Sequence, residues 1–178
     1  MLERWISYYE DIVPNNLCNE ILSYPWKWSP SKYANHNKET LNSDDRVLMD
    51  ETWVGTTKLY PQIKQSILKV VDKYSGDHER FSCVHHTDFR INKYGVGGFM
   101  SKHCDNIHHS HGQNYGYPQC TILLFINDDF KGGDFFVAEN KHNPAKGSAL
   151  IFPSNFMFPH EVKKVTKGER WSIVSWLM

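Results

Sequence analysis

The chain has 178 residues, which suits one domain able to bury its own core without disulfides or a structural metal and leaves no room for a second catalytic domain. Twenty basic and twenty acidic side chains give a formal net charge of zero, so no global attraction to nucleic acid or to an anionic membrane surface is built in. Four cysteines, Cys18, Cys83, Cys104 and Cys120, form no C-x-x-C pair, which argues against a secreted disulfide scaffold and for a reducing compartment.

Residues 1–6 carry an acid at Glu3 and no continuous apolar run, so no signal peptide is expected, and no stretch approaches membrane-spanning length. The expectation is a soluble, cytoplasmic protein. Residues 1–13 read as a short edge strand or arm packed through Trp5, Ile6, Tyr8, Tyr9, Ile12 and Val13. Pro14-Asn15-Asn16 then opens a helix to Tyr24, with Asn as its cap and Leu17, Ile21 and Leu22 at helical spacing, and Pro25 ends it. Residues 26–51 are polar and aperiodic, a long loop excursion of the kind that is functional or mobile in a compact domain. Leu59, Ile63, Ile67, Val70, Val71 and Tyr74 recur at steps of three and four, predicting a second amphipathic helix that ends near Ser75-Gly76.

Beyond Arg80 the pattern changes to short β-rich runs at 83–94, 98–102, 119–126, 134–138, 148–152, 161–165 and 170–177, punctuated by Gly, Pro and Asn. Such a series folds as an antiparallel double sheet. The expected architecture is mainly β with flanking helices, a double-stranded β-helix or jelly roll. One domain would span 1–178, with a helical and loop part over 1–80 and the jelly-roll core over 81–178.

Within that core, His103-Cys104-Asp105 places an imidazole and a carboxylate two residues apart, on the same face of an extended strand, with Cys104 turned away. With His160 downstream this makes two imidazoles and one carboxylate, the ligand set of the non-haem Fe(II) facial triad, which leaves coordination positions open. A structural zinc site would close its shell with four protein ligands. Alone, H-x-D reads more readily as surface polar residues than as a metal site. Its neighbours are Phe89-Arg90-Ile91-Asn92-Lys93-Tyr94-Gly95 and Gly97-Gly98 upstream, with Gly132-Gly133-Asp134-Phe135, Pro144-Ala145-Lys146-Gly147 and Pro159-His160-Glu161-Val162 downstream, then Lys167-Gly168-Glu169-Arg170-Trp171-Ser172-Ile173-Val174-Ser175-Trp176.

In this order and spacing, residues 85 to 178 resemble the catalytic domain of the 2-oxoglutarate and Fe(II)-dependent dioxygenases, and within them the prolyl 4-hydroxylase-like branch. The resemblance implies Fe(II) held by His103, Asp105 and His160, 2-oxoglutarate and O₂ as co-substrates, and ascorbate as a candidate reductant. Arg170 would bind the far carboxylate of 2-oxoglutarate through its planar fork, the alternative being an ion pair with Glu169 or another acid. Tyr94 would hydrogen-bond the co-substrate. Strand parity with Arg170 puts Val174 and Trp176 on the pocket wall, and Leu123 is a further lining residue. Phe125 departs from the tyrosine that related hydroxylases often carry there, and Thr121 is expected to supply a hydroxyl instead.

The same resemblance implies hydroxylation of an aliphatic C–H, first of a prolyl residue in a peptide or protein. Alternatives are a free amino acid or other small molecule, and a non-catalytic jelly-roll sensor or binding module. A nucleic-acid partner is disfavoured, because Arg170 is not followed by the R-x-N-x-T-x-R run of demethylases in this superfamily. Retention of Asp105 disfavours a halogenase. The His-rich segment His108-His109-Ser110-His111 reads as a loop facing water or binding adventitious metal, or as a mobile cover of the cleft in which His108, Tyr115 and Tyr117 touch substrate. Gly132-Gly133 is read as a tight turn or a close backbone approach, and Lys146-Gly147 as a turn. No oligomeric state follows from the sequence.

Overall fold

The computed structural model describes residues 2–34, 40–41, 45–83, 85–106 and 116–178. The strand Arg170–Leu177 is its spine, with all eight residues buried. A strand buried on both faces needs a layer on each side, and the alternation of its side chains shows what those layers are. Trp171, Ile173 and Leu177 face a core shared with the helices, whereas Val174 and Trp176 face a second core between the sheets.

This strand lies at the centre of a seven-stranded antiparallel sheet. The order is Ser7–Tyr9, Ala149–Pro153, Cys120–Phe125, Arg170–Leu177, Arg90–Tyr94, Asp50–Trp53 and Ser29–Pro30. A five-stranded sheet, ordered Asn140–His142, Phe135–Val137, His160–Val162, Phe99–His103 and Val47–Leu48, packs on its inner face. Two packed antiparallel sheets make the jelly roll. The outer face of the larger sheet is covered by α1, Asn15–Ser23, and α2, Tyr60–Asp77, through Leu17 and Ile21 of the first and Ile63, Ile67, Val70 and Tyr74 of the second. Among the described residues no helix is long and apolar enough to cross a membrane.

Several boundaries differ from the sequence reading. The helix α1 starts at Asn15 behind Pro14, which occupies the N-cap position without a side-chain cap, so Asn is inside the helix and is not its cap. The helix α2 passes through Gly76 to Asp77, where the His78 N–H closes on the Tyr74 carbonyl. Among the described residues of 83–94, the strand covers Arg90–Tyr94, preceded by an isolated bridge between His86 and Leu177. The stretch 161–165 divides into His160–Val162 and Val165–Lys167.

The largest correction concerns residues 26–51, which are not simply a loop. Asp50–Trp53 pairs with Arg90–Tyr94 in one sheet and Val47–Leu48 pairs with Phe99–His103 in the other, so residues before 81 are woven into both sheets. Apolar alternation does not announce Asp50–Trp53, because its pairing uses charge: Asp50 meets Lys93 at 3.2 Å and Glu51 meets Arg90 at 3.5 Å.

Ile67 is fully buried between α2 and the outer face of the larger sheet. Ile67→Ala is expected to cost about 2–5 kcal/mol of unfolding free energy, read as a lowered urea midpoint with an unchanged slope.

Candidate metal and co-substrate site

Strand register brings the two histidines together. His103 ends Phe99–His103, His160 begins His160–Val162, and they are direct partners across the pair, with ring centroids 4.2 Å apart. Asp105 lies two residues past the strand end and is 4 % exposed. Ligand atoms of His103, Asp105 and His160 all lie within 4.8 Å of one another.

Each imidazole is oriented from behind. Nδ1 of His103 is 2.8 Å from the Ser101 carbonyl and Nδ1 of His160 is 3.3 Å from the Phe158 carbonyl. A carbonyl only accepts, so Nδ1 carries the hydrogen and Nε2 presents its lone pair. Nε2 of His103 is 3.4 Å from Asp105 Oδ1, and Nε2 of His160 is 3.4 Å from Oδ2. Burial raises the Asp105 carboxyl; imidazoles protonated at Nε2, His160 foremost, outweigh it through charge and hydrogen bonding and hold the group well below the usual carboxylate range, a part that a bound cation would take over when Nε2 is its ligand. Two basic nitrogens and a buried carboxylate converging on one point are a donor set that a divalent cation satisfies.

Asp105 is itself held. Its Oδ2 accepts from Thr121 Oγ1 at 2.7 Å and from Trp176 Nε1 at 2.8 Å, and those two residues are partners across the strand pair. Thr121 Oγ1 also lies 2.8 Å from Ser154 Oγ. This corrects the expectation that Thr121 takes up the hydrogen-bonding role that Phe125 lacks, because its hydroxyl is committed to Asp105. Trp176 lines the cleft as expected, yet its polar edge also serves Asp105.

Across the cleft Arg170 is 2 % exposed and pairs with Tyr94 in the sheet. Its guanidinium carbon lies 5.3 Å from the Tyr94 ring, 5.5 Å from Phe125 and 5.8 Å from Phe135. Nη1 donates to Ser172 Oγ at 3.2 Å, while buried Nη2 has no hydrogen-bond partner among the described residues. Burial pulls the guanidinium below its ordinary value and pushes the Tyr94 phenol up. The alternative ion pair with Glu169 is not made: that carboxylate accepts from Trp171 Nε1 at 3.1 Å. A buried cation with an unused donor fits the far carboxylate of a dicarboxylic acid, which would satisfy both its charge and its hydrogen.

Gly133 makes room for this arginine. It adopts φ +64°, and a Cβ there would stand 3.0 Å from Arg170 Cδ and from a methyl of Val165. Between the two ends runs a cleft lined also by Leu123, Val174, Asn92 and Arg90.

A family model described as the 2OG-Fe(II) oxygenase superfamily matches residues 89–178, half of the chain. The chain belongs to this superfamily. Its Fe(II) and 2-oxoglutarate fit the two ends of the cleft, the first by donor set and the second by the unpaired guanidinium donor.

Among the oxygenase's sequence relatives is prolyl 3-hydroxylase 2 of Rattus norvegicus, 25 % identical over 146 residues, which cover 68 % of this chain and 20 % of that protein. Prolyl 3-hydroxylase 2 of Homo sapiens is 36 % identical over 69 residues, or 35 % of this chain and 10 % of that one. The chain thus spans a fifth or less of these relatives' length. Similar solved folds include the viral collagen prolyl hydroxylase of Paramecium Bursaria Chlorella virus-1 in its 2OG complex, with TM-score 0.73, 13 % identity and coverage of 97 % and 95 % of the two chains. A prolyl hydroxylase of Trichoplax adhaerens, in complex with a hypoxia inducible factor oxygen degradation domain peptide, gives TM-score 0.75, 17 % identity and coverage of 98 % and 84 %.

The sequence reading of the oxygenase missed Ser172, although the parity that selected Val174 and Trp176 selects it too. It also missed the hold of Thr121 and Trp176 on Asp105, for which a pairing register was needed. Tyr117 is 43 % exposed, whereas His108, His109, His111 and Tyr115 lie outside the described residues.

Replacing Trp176 by Phe keeps an aromatic ring but removes one of the two neutral donors to Asp105. Metal affinity, titrated with Mn(II) under anaerobic conditions, is expected to fall by about 10- to 100-fold, and Thr121→Val to act in the same direction.

Proposed function

We propose that this protein is an Fe(II)- and 2-oxoglutarate-dependent dioxygenase that hydroxylates a prolyl residue of a peptide or protein. The observation that carries the proposal is the pairing, in one cleft, of an open three-ligand cluster with a buried arginine that has a donor to spare. Residues 1–178 would act as one catalytic domain.

In this reading His103 and His160 bind iron through Nε2, and Asp105 through its carboxylate. The bound metal, with 2-oxoglutarate and O₂, supplies oxidative decarboxylation coupled to insertion of one oxygen atom into a substrate C–H. The protein's own contributions are positional. The Ser101 and Phe158 carbonyls fix the imidazole tautomers, and Thr121 and Trp176 keep the carboxylate aimed at the metal. Arg170 and Ser172 take the far carboxylate of the co-substrate, and Tyr94, Phe125 and Phe135 keep water from that charge pair, strengthening it. Leu123 and Val174 wall the co-substrate's methylene chain.

Phe125 changes how this end works. A ring 5.5 Å from the guanidinium can stack but cannot donate, so anchorage rests on Arg170 and on the Ser172 hydroxyl. The prolyl assignment is supported by relatives in both comparisons whose names specify prolyl hydroxylation, the sequence relatives at C3.

Succinate formation from 2-oxoglutarate, with added Fe(II) and ascorbate, tests the chemistry. Activity is expected in the wild-type protein and loss to the metal-free background in His103→Ala and Asp105→Ala. Arg170→Leu should raise the KM for 2-oxoglutarate on the order of 10- to 100-fold, as loss of a charge-assisted hydrogen bond in a buried site predicts. Mass spectrometry across proline-containing peptides and free amino acids should find a gain of one oxygen on proline, and NMR of the product assigns the carbon. Succinate production that persists in both triad variants would sink the metal assignment. Absence of any oxidised peptide would remove the prolyl one.

A further inference from the structure

The cleft holds a second arginine that neither the metal nor the far carboxylate of the co-substrate uses. Arg90 opens the strand Arg90–Tyr94 and shares the cleft wall with Arg170. Its partner across the pair is Val174, four residues from the Arg170–Tyr94 pair, so it stands roughly 13 Å along the sheet from the arginine end of the cleft. At that position it belongs to the metal end. Its guanidinium carbon lies 5.0 Å from the Trp176 ring centroid, and the same ring donates to Asp105.

The environment of Arg90 is specific. Nη1 is 3.5 Å from Glu51 Oε2, an oxygen that also accepts from Ser31 at 2.7 Å, and Nε is buried with no hydrogen-bond partner among the described residues. On the far side, its other strand partner Trp53 is 41 % exposed and, as a direct partner, lies on the same face of the sheet. The side chain is thus held in place by stacking and by one acid, and 14 % of it stays exposed.

Building on the hydroxylase reading above, we propose that Arg90 fixes the substrate over the metal by donating to a backbone carbonyl oxygen of a peptide. Charge selects this acceptor. Glu51 is already paired with the guanidinium, so a second carboxylate brought beside it would face a like charge, whereas a neutral carbonyl needs only a hydrogen from the exposed part of the guanidinium. The site therefore favours a residue within a chain over a free amino acid, whose carboxylate is ionised. Trp53 offers the apolar face across which an extended chain would enter.

The test compares wild type with Arg90→Met, Arg90→Lys and Glu51→Gln, each checked for an unchanged thermal midpoint and Mn(II) affinity. Peptide KM is expected to rise about 10-fold or more in Arg90→Met, with partial recovery in Arg90→Lys. Affinity for 2-oxoglutarate, measured on the Mn(II)-loaded protein without peptide, should stay within about twofold of wild type. Glu51→Gln, which uncovers the charge, should shift preference toward free proline over a proline-containing peptide.

An unchanged peptide KM in Arg90→Met, or a parallel loss of 2-oxoglutarate affinity, would overturn the assignment. Peptide binding is also titrated on the Mn(II)-loaded, 2-oxoglutarate-bound protein without turnover. If wild type binds peptide without oxidising it and Arg90→Met does not bind, the inference stands while the hydroxylase reading fails. Should wild type bind no peptide at all, the inference fails by itself.

Discussion

The buried carboxylate of Asp105 is the constraint around which the site is arranged. It receives donors from Thr121 and Trp176 on the larger sheet and faces His103 and His160 on the smaller one, so a single side chain ties the two layers together at the metal end of the cleft. An unpaired buried charge is costly, and here four neighbours share it. Because Thr121 and Trp176 are register partners, the two donors that receive the carboxylate are placed by sheet pairing. A metal added to that cluster would complete a pattern of charges the fold has already laid out.

The opposite end of the cleft follows a different logic. Arg170 is surrounded by three aromatic rings and one hydroxyl, and no described acid pairs with it. Folding therefore holds a cation in an apolar wall where a ligand's carboxylate can neutralise it. The two ends together favour a ligand that chelates at one end and is anionic at the other, which is the shape of a keto diacid.

Legibility in the sequence was uneven. Arg170–Leu177 was readable to the residue because aromatic and β-branched residues run on directly from the Gly168 turn, and H-x-D was readable because period-two geometry puts both side chains on one side. By contrast, Asp50–Trp53 was opaque, since its pairing depends on ion pairs with Lys93 and Arg90 that no local pattern predicts. The same holds for Thr121, where the hydroxyl is visible in the sequence but its partner is 16 residues away and fixed only by the fold. Helix ends were readable to within about a residue, because Pro25 and the Ser75-Gly76 pair are local stop signals. Local chemistry named the reacting groups, and long-range pairing determined what holds them.

The two-sided burial of Arg170–Leu177 has a consequence for how such a protein can change. Its even-numbered residues reach into the cleft and its odd-numbered residues, apart from Ser175, reach into the helical layer, so one short segment is read in two frames at once. Insertion or loss of a single residue there would exchange the frames, sending Arg170 toward α1 and α2 and an indole or isoleucine toward the iron ligands. Variation along this segment is thus confined to substitution in place, and diversity among proteins built this way has to accumulate in the edge strands and the connections between them.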